Sequence, residues 1–413
     1  MLNKFQAGKD GRRSLLKLLS GALLSLAAPA VMAQASGGDT LKMGLLTSFG
    51  GSQIGGKTVS AAAQMAIDDF GGQVLGKKIE LLIGDEQYKP DVALSVARQW
   101  MDQKKLDVLV ANTISASTFA LVDLTKQAKI PLLLTGPGSE DLTGKDCSEY
   151  STNYIWNVYS LPRAVINGMS SEGAKTWYIL TIDNAYGKSL ESNATEFINA
   201  AGGKVVGVSR FPLSMQDYSA FILRAQASKA DVIALGTTGD NSVNLIKQAT
   251  EFGVMAGGQK IAALSMNIQD VHALGLEQAK GLRLVSPFYH NMDEKNRAWS
   301  KAFQKRANGV VPTLIESGVY SGVTHYLNAV KAAGTTNGEK VMEVMKTLPI
   351  NDFQMKNVTR RADGQVMRPM YLMEVKSPAE SKEPWDYFKV VRTVPAEEAW
   401  RPAAQSSCPL MKK

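Results

Sequence analysis

An α/β architecture of two doubly wound lobes is expected from this chain of 413 residues. From residue 41 short apolar runs alternate with amphipathic helical stretches. The runs are continuously apolar rather than alternating, which is the pattern of parallel strands covered on both faces. The series restarts near Trp156 with a second set of the same kind.

The first set opens with LKMGLLT (41–47) as a strand and 57–70 as a helix. KIELLIG (78–84) reads as the next strand. Pro90 then starts the helix PDVALSVARQWMDQK, since a first-turn residue needs no N–H. LDVLVA (106–111) is a strand, SASTFALVDLTKQA (115–128) a helix and IPLLLT (130–135) a strand. In the second set AKTWYILTID (174–183) is a strand, and GKSLESNATEFINAAG a helix with a glycine stop. KVVGVSRFP, ADVIALG and QKIAALS are further strands, with helices at about 219–228 and 240–253. Beyond 287 the chain turns helical (294–308, 313–334, 339–347), then shows strand-like pieces around 353–357, 368–375 and 385–392. The simplest home for these late elements is completion of the two sheets already built, which makes both domains discontinuous.

The first 35 residues differ in kind. Lys4, Lys9, Arg12, Arg13 and Lys17 precede the apolar LLSGALLSLAAPAV and small-residue cleavage sites at Val31-Met32-Ala33 or Ala33-Gln34-Ala35. This is the layout of a signal peptide, and its apolar core is shorter than the ~20 residues of a spanning helix. GRRSLLK resembles a twin-arginine signal. A periplasmic destination is expected. The leader holds five basic residues and one acid, so the formal +8 falls to +4 for the remainder. Without a block of like charge, nucleic acid is not an expected partner. In an exported chain Cys147 and Cys408 can pair, tying the tail to the body; the alternative is two separate thiols, and pairing is the expectation.

Enzyme motifs are scarce. There is no G-x-S-x-G and no H-E-x-x-H, and His272, His290 and His325 lie far apart, so no catalytic set, cofactor or metal is expected. Residues 51–58 do satisfy the phosphate-loop pattern G-x-x-x-x-G-K-T, and IELLIGDE imitates a magnesium-binding strand. The pattern is short, an exported chain meets little nucleotide, and nothing supplies a catalytic base or arginine finger. Lys57 and Thr58 read instead as the start of a helix.

Ligands of open α/β sheets bind beyond the carboxyl ends of the strands. In the first set those tips are Ser48-Phe49 with the glycine loop, then ANTISAST (Ala111 to Thr118), then TGPGS (Thr135 to Ser139). In the second they are DNAYG (Asp183 to Gly187), GTTGD (Gly236 to Asp240) and SMNIQ (Ser265 to Gln269). Hydroxyls and backbone N–H groups at the start of a helix form an anion cradle, so ANTISAST can hold a carboxylate. The competing role is capping, with Ser115 or Ser117 satisfying its own helix.

Several stretches taken in order resemble the branched-chain amino acid (leucine/isoleucine/valine) solute-binding proteins of ABC transporters. They are LLTSFGGSQIGGKTVSAAAQMAIDDFGGQVLGKKIELLIGDEQYKPDVALSVARQWM, TIDNAYGKSLESNATEFINAAGGKVVG, MQDYSAFILRAQASKADVIALG and RRADGQVMRPMYLMEV. The resemblance spans nearly the whole chain after the leader. It implies the type I periplasmic-binding fold: two α/β lobes, three crossovers, a ligand clamped between. With crossovers near 157, 287 and 367, the lobes would be 36–157 plus 288–366 and 158–287 plus 367–413, after a leader of 1–35.

The resemblance also implies a site. Ser115 and Ser117 fall where the family's serine/threonine cluster holds the ligand carboxylate, and the loop Gly136, Gly138, Ser139 where backbone groups assist, beside Thr135 and Asn112. Tyr186 matches the cleft tyrosine. Thr238 and Ile54 stand where relatives place aromatics, and Ser48, Phe49 and Gln53 are expected near the ligand. The second-lobe carboxylate that holds an amino acid's ammonium is replaced by Ser265-Met266-Asn267, although Asp183 or Asp240 could substitute. A buried ammonium without an anion is costly. The expected ligand is therefore a small carboxylate without an α-amino group, an aromatic or keto acid, held as the lobes close. The implied partner is a membrane permease, the chain being a monomer; a ligand-sensing receptor module of the same fold is the alternative.

Overall fold

The computed structural model describes residues 40–49, 56–213 and 215–412. The leader at 1–35, and Gln53 and Ile54 of the expected site, lie outside the described residues.

The first sheet is built from β1 (Leu41–Thr47), β2 (Gln73–Val74), β3 (Lys77–Asp85), β4 (Val108–Asn112), β5 (Leu132–Leu134) and β6 (Ser151–Asn153), in the order β2-β3-β1-β4-β5-β6. Only the β2–β3 pair is antiparallel. Its connecting helices are α1 (Gly56–Asp69), α2 (Pro90–Gln99), which ends in a π-helical turn over Trp100–Lys104, and α3 (Ser115–Ala128). Side chains that alternate along each strand divide between two helical layers. Leu41, Met43, Leu45, Val108 and Val110 face one core with Val59, Ala62 and Ala63 of α1. Leu46, Leu109, Ala111, Leu132 and Leu134 face the other with Ala93 and Ala97 of α2 and Leu121 of α3. Strands buried on both faces must be apolar throughout, which is why they were legible as continuous runs.

After α4 (Ser160–Ser171) the second sheet begins: β7 (Thr176–Ile182), α5 (Ala185–Ala200), β8 (Lys204–Phe211), α6 (Ser219–Ala227), β9 (Val232–Gly236), α7 (Asp240–Glu251), β10 (Lys260–Ala263), the short helices α8 (Ile268–Leu274) and α9 (Leu276–Ala279), and β11 (Arg283–Ser286). Three helices follow, α10 (Glu294–Arg306), α11 (Leu314–Ala333) and α12 (Gly338–Thr347), then β12 (Met370–Val375), β13 (Phe388–Val394) and α13 (Ala396–Ala399). The second sheet runs β13-β12-β11-β10-β9-β7-β8, with β12 and β13 antiparallel to their neighbours.

The late elements divide unequally. All three helices α10–α12 pack on the first lobe, whose core includes Trp299, Phe303, Val319, Val323, Tyr326 and Met345. Both late strands join the second sheet. Residues 353–357, expected as strand-like, form no strand; Ile350 and Val358 make one isolated bridge beside them. β6, β11 and α4 were not anticipated. β6 reads Ser-Thr-Asn, and its burial comes from neighbours rather than from its own apolarity.

The chain passes between the sheets after Asn153, after Ser286 and again before Met370. Arg368, 1% exposed, joins all three passages. It donates from Nη1 to the carbonyl of Tyr154 (3.1 Å) and from Nη2 to that of Pro287 (2.8 Å), while its own carbonyl accepts from Trp400 Nε1 (2.8 Å). Beyond Trp400 the tail returns to the first lobe. Arg401 pairs with Glu140, and Cys408 is bonded to Cys147 with their Cα atoms 5.7 Å apart. The tail thus runs alongside the passages, where 367–413 had been expected to belong to the second lobe alone. Among the described residues no helix is long and apolar enough to cross a membrane.

Candidate functional site: the crevice at the strand ends

In the first sheet β1 lies between β3 and β4; in the second β7 lies between β8 and β9. Chain connections leave opposite ways from such a strand, so the loops at its carboxyl end part and leave a crevice. The first-lobe crevice holds a cavity of about 130 Å³ lined by Ser48, Glu86, Tyr88, Asn112, Thr113, Ile114 and Gly136. A larger concavity, about 500 Å³, lies beside α3 and Cys147, away from the strand ends, and is lined mainly by charged side chains. Position at the strand ends makes the smaller cavity the candidate.

Ser48, Asn112 and Gly136 of the expected set line this cavity. Gly136 lies against the end of β4: a Cβ there would stand 2.7 Å from both Asn112 C and Thr113 N. The helix α3 begins at Ser115 with Ile114 in the capping position, and no side chain caps it. The capping role considered for Ser115 and Ser117 is therefore not the one they take. The first-turn N–H groups of a helix have no acceptor within it and carry the positive end of its dipole. Ser115 Oγ instead accepts from Ser139 N (3.2 Å), tying the loop after β5 to the start of α3.

Other expected residues support this edge or lie off it. Thr135 is fully buried with its hydroxyl on the Ala111 carbonyl (3.4 Å). The Gly138 carbonyl accepts from Val158 N (2.8 Å), and a Cβ on Gly138 would meet the Trp156 ring at 2.8 Å. Ser117 is buried and does not line the cavity. Phe49 is 44% exposed at the rim.

On the second lobe Tyr186, in the first turn of α5, is half-buried; burial pushes its hydroxyl pKa up to about 12, so it stays neutral. Thr238 is exposed, while its neighbour Thr237 is buried with a hydroxyl that has no partner among the described residues. Met266 belongs to the second-lobe core. Asn267 caps α8 in a reciprocal box with Asp270. Met266 and Asn267 line a different space, a cavity of about 20 Å³ shared with Phe288, His290 and Thr313. Asp183 is ion-paired with Lys188 (3.0 Å), and Asp240 is exposed at the start of α7.

Of the phosphate-loop match, residues 51–55 lie outside the described residues, and Lys57 and Thr58 fall in the first turn of α1 as expected. Thr58 donates to Glu316 (2.7 Å), and Lys57 is exposed. Asp85 accepts from Phe49 N (3.2 Å) and Gln87 N (2.9 Å), tying the end of β1 to the turn after β3. Glu86 is fully buried; its Oε1 accepts from Ser48 Oγ and Ile114 N, both at 2.9 Å. Sequence reasoning missed Glu86 and Tyr88, while Thr113 and Ile114 lie in the tip Ala111 to Thr118 that it did read. The signal was present, since Glu86 directly follows β3 and the tips of β1, β4 and β5 in the same sheet were read for ligand groups. Gln87 (φ 53°) and Tyr88 (φ 55°) follow it in the left-handed region, an unfavourable conformation for such side chains that holds the turn over the cavity.

Two α/β lobes, each with a switch-point crevice and joined by three passages, define a type I periplasmic-binding fold. A family profile described as periplasmic binding protein matches residues 40–382, and the chain belongs to that family. It is similar to a periplasmic binding protein from Burkholderia mallei, 42% identical over 90% of this chain and 99% of that one, with a TM-score of 0.81. A branched chain amino acid ABC transporter periplasmic ligand-binding protein from Burkholderia xenovorans LB400 is 34% identical, covering 90% and 100%, with a TM-score of 0.86. A solute binding protein of an ABC transporter from Rhodopseudomonas palustris BisB5, solved with 3,4-dihydroxy benzoic acid, shares the fold: 22% identity, 89% and 99% coverage, TM-score 0.76. The chain is thus a periplasmic solute-binding protein of the kind that serves ABC transporters.

Proposed function

We propose that this protein captures a small carboxylate, an aromatic or keto acid rather than a branched-chain amino acid, and presents it to an ABC-transporter permease. The observation that carries the reading is the uncapped start of α3, bound through Ser115 to the Ser139 loop at the first-lobe switch point. Free N–H groups, a hydroxyl and the helix dipole converge there, and an anion is what that combination stabilises. The aromatic acid held by the Rhodopseudomonas protein is consistent with it. On the second lobe Asp183 is paired and Asp270 is occupied in capping, which leaves Asp240, exposed at the start of α7, as the acid that could meet a ligand ammonium.

In the mechanism, the first lobe binds the carboxylate; the second, bearing Tyr186 and the Thr237-Thr238 tip, rotates about the passages near 157, 287 and 367 and excludes water. The lobes are taken as 36–157 plus 288–366 and 158–287 plus 367–413, the tail beyond Trp400 lying across both. A monomer released from its leader at 1–35 would act in the periplasm.

Calorimetry over a panel of benzoates, branched keto acids and branched-chain amino acids tests the ligand class. Tight leucine or valine binding with no uptake of aryl or keto acids would overturn it. Ser115→Ala should weaken carboxylate binding by ~1–3 kcal/mol, the value of a charge-assisted hydrogen bond. An unchanged dissociation constant would remove Ser115 from the site.

A further inference from the structure

The loop after β5 is held in place by groups remote from it in sequence. Glu140 directly follows Ser139, whose N–H donates to Ser115, and opens a single 3₁₀ turn, Glu140–Thr143. Its carboxylate has two partners among the described residues. Arg401 of the C-terminal tail pairs with Oε2, and Asn193 Nδ2 of α5 donates to Oε1 (3.3 Å). The Arg401 and Glu140 side chains are 30% and 22% exposed, so salt screens this pair less than one on an open surface. Arg401 is itself fixed. Its guanidinium lies 3.9 Å from the centroid of the Tyr159 ring, and its carbonyl accepts from Arg361 Nη1 (2.7 Å). Before it, Trp400 is buried in the second-lobe core, with its carbonyl on Arg163 Nη1 (2.6 Å). Beyond it, Cys408 is bonded to Cys147. Asn193 is buried, and it also donates to the Val158 carbonyl (3.1 Å) at the first passage. It stands two turns along α5 from Tyr186 and on the same helical face.

We infer that Arg401 is a positioning residue for ligand binding: through Glu140 it fixes the Ser139 loop against the start of α3. This rests on the carboxylate reading above and makes the C-terminal tail part of the binding apparatus. The loop is anchored at Gly136 by close approach to β4 and at Gly138 by Val158 N. Glu140 is its next fixed point. The Ser139–Ser115 bond, at 3.2 Å, lies at the long end of the ordinary range, so it depends on where the loop is put rather than putting it there. If Glu140 is released, the fraction of molecules with the loop in its binding position falls, and the apparent Kd rises by the inverse of that fraction. Because Glu140 also meets Asn193, the tail, the loop and the helix bearing Tyr186 share one fixed point on the hinge side of the crevice.

The test is calorimetry on the full chain with benzoate, 4-hydroxybenzoate and 4-methyl-2-oxopentanoate, with a melting curve for every variant. Arg401→Ala should weaken the tightest of the three acids about fivefold or more, the factor that about 1 kcal/mol provides. Arg401→Lys, which keeps the charge, should recover part of that loss. Arg392→Ala cuts another ion pair of the C-terminal stretch, to Glu398 (2.7 Å), and should leave the Kd unchanged. In a Ser115→Ala background Arg401→Ala should weaken binding by less than about twofold, because the contact through which it acts is already gone. Glu140→Gln combined with Arg401→Ala should bind no better than Arg401→Ala alone. Full recovery in that double variant would mean that Arg401 only masks like charge near the anion, and overturns the positioning role. An Arg401→Ala protein that melts lower yet keeps the parental Kd also overturns it, the tail then serving stability alone. Equal losses with and without Ser115 overturn the route through the Ser139 loop. Should Arg401→Ala fail to fold, the paired Cys147→Ser and Cys408→Ser variant unties the tail beyond Arg401 and is judged by the same comparison of Kd with and without Ser115. These outcomes leave the carboxylate reading intact. If none of the three acids binds the unaltered protein, that reading falls and the inference with it.

Discussion

Replacing Gly136 by alanine should distort the crevice directly. The added Cβ would lie 2.7 Å from Asn112 C and Thr113 N and 2.8 Å from Asn112 Cα. Ordinary carbon contacts are about 3.5–4.0 Å, so the overlap approaches an ångström. The obstructing atoms are backbone, and both sides are pinned: Thr135 N donates to Ala111 O (3.0 Å), and Tyr154 N to Leu134 O (3.1 Å). Relief requires the loop after β5 to move away from β4, widening the cavity and breaking the approach of Ser139 to Ser115. Overpacking of this kind costs about 1–3 kcal/mol. For a lobe of roughly 200 residues, unfolding entropy near 2.1 cal/mol/K per residue turns that into a drop of about 2–7 °C in Tm. Scanning calorimetry gives the Tm and titration with the best carboxylate gives the Kd; both should worsen. Gly138→Ala is the control, because its Cβ meets the Trp156 ring, a side chain able to shift. A Gly136→Ala protein that melts within a degree of the parent and binds equally well would refute the close-approach reasoning.

The disulfide closes a sequence separation of 261, so replacing both Cys147 and Cys408 by serine should cost about 2–5 kcal/mol and lower the Tm; a melt unaffected by reductant would count against it. Arg368→Ala strips a donor from the Tyr154 carbonyl, about 1–3 kcal/mol, while the Pro287 carbonyl keeps Gln354 Nε2, and should lower the urea midpoint without changing the far-ultraviolet spectrum. Burial lowers His290 and His325 from 6.5 to about 4. The unfolded chain therefore binds more protons between those values, and each histidine removes up to about 1.4 kcal/mol of stability per pH unit as pH falls through that window. Asp270, raised by burial from 3.8 to about 6, has the opposite sign and offsets one of the two histidines below pH 6. The net expectation is a urea midpoint that declines from pH 6.5 to 4.5 and declines less in His325→Gln; a flat midpoint over that range would contradict it.

Some elements were legible to the residue. β1 and α3 occupy Leu41–Thr47 and Ser115–Ala128 as expected, because a doubly covered strand must be apolar throughout and a surface helix must be amphipathic. β6, reading Ser-Thr-Asn, was illegible because its hydrogen bonds come from β5 and a bridge to Gln365, both distant in sequence. β11 was hidden by its brevity, four residues between α9 and the second passage. The opposite error, a strand at 353–357, followed local apolarity that in fact serves packing: Phe353 and Met355 pack in the first-lobe core, and the backbone turns around Asp352, which accepts from Gln354 N (2.8 Å) and Met355 N (2.6 Å).

From its sequence alone this protein was readable as two α/β sets with polar strand tips, since those features depend on which residues neighbour each other along the chain. Which tips share a crevice was decided by strand order, a matter of pairings between residues far apart. Only the folded chain brings Glu86, just beyond β3, and Asn112, at the end of β4, to the two sides of β1, and leaves one buried oxygen of each without a donor among the described residues. Only there does Ile114 take the capping position of α3, so that Ser115 turns to Ser139 and the helix start stays open. A hydrogen-bond inventory depends on burial, and burial is a property of the assembled lobe rather than of any segment.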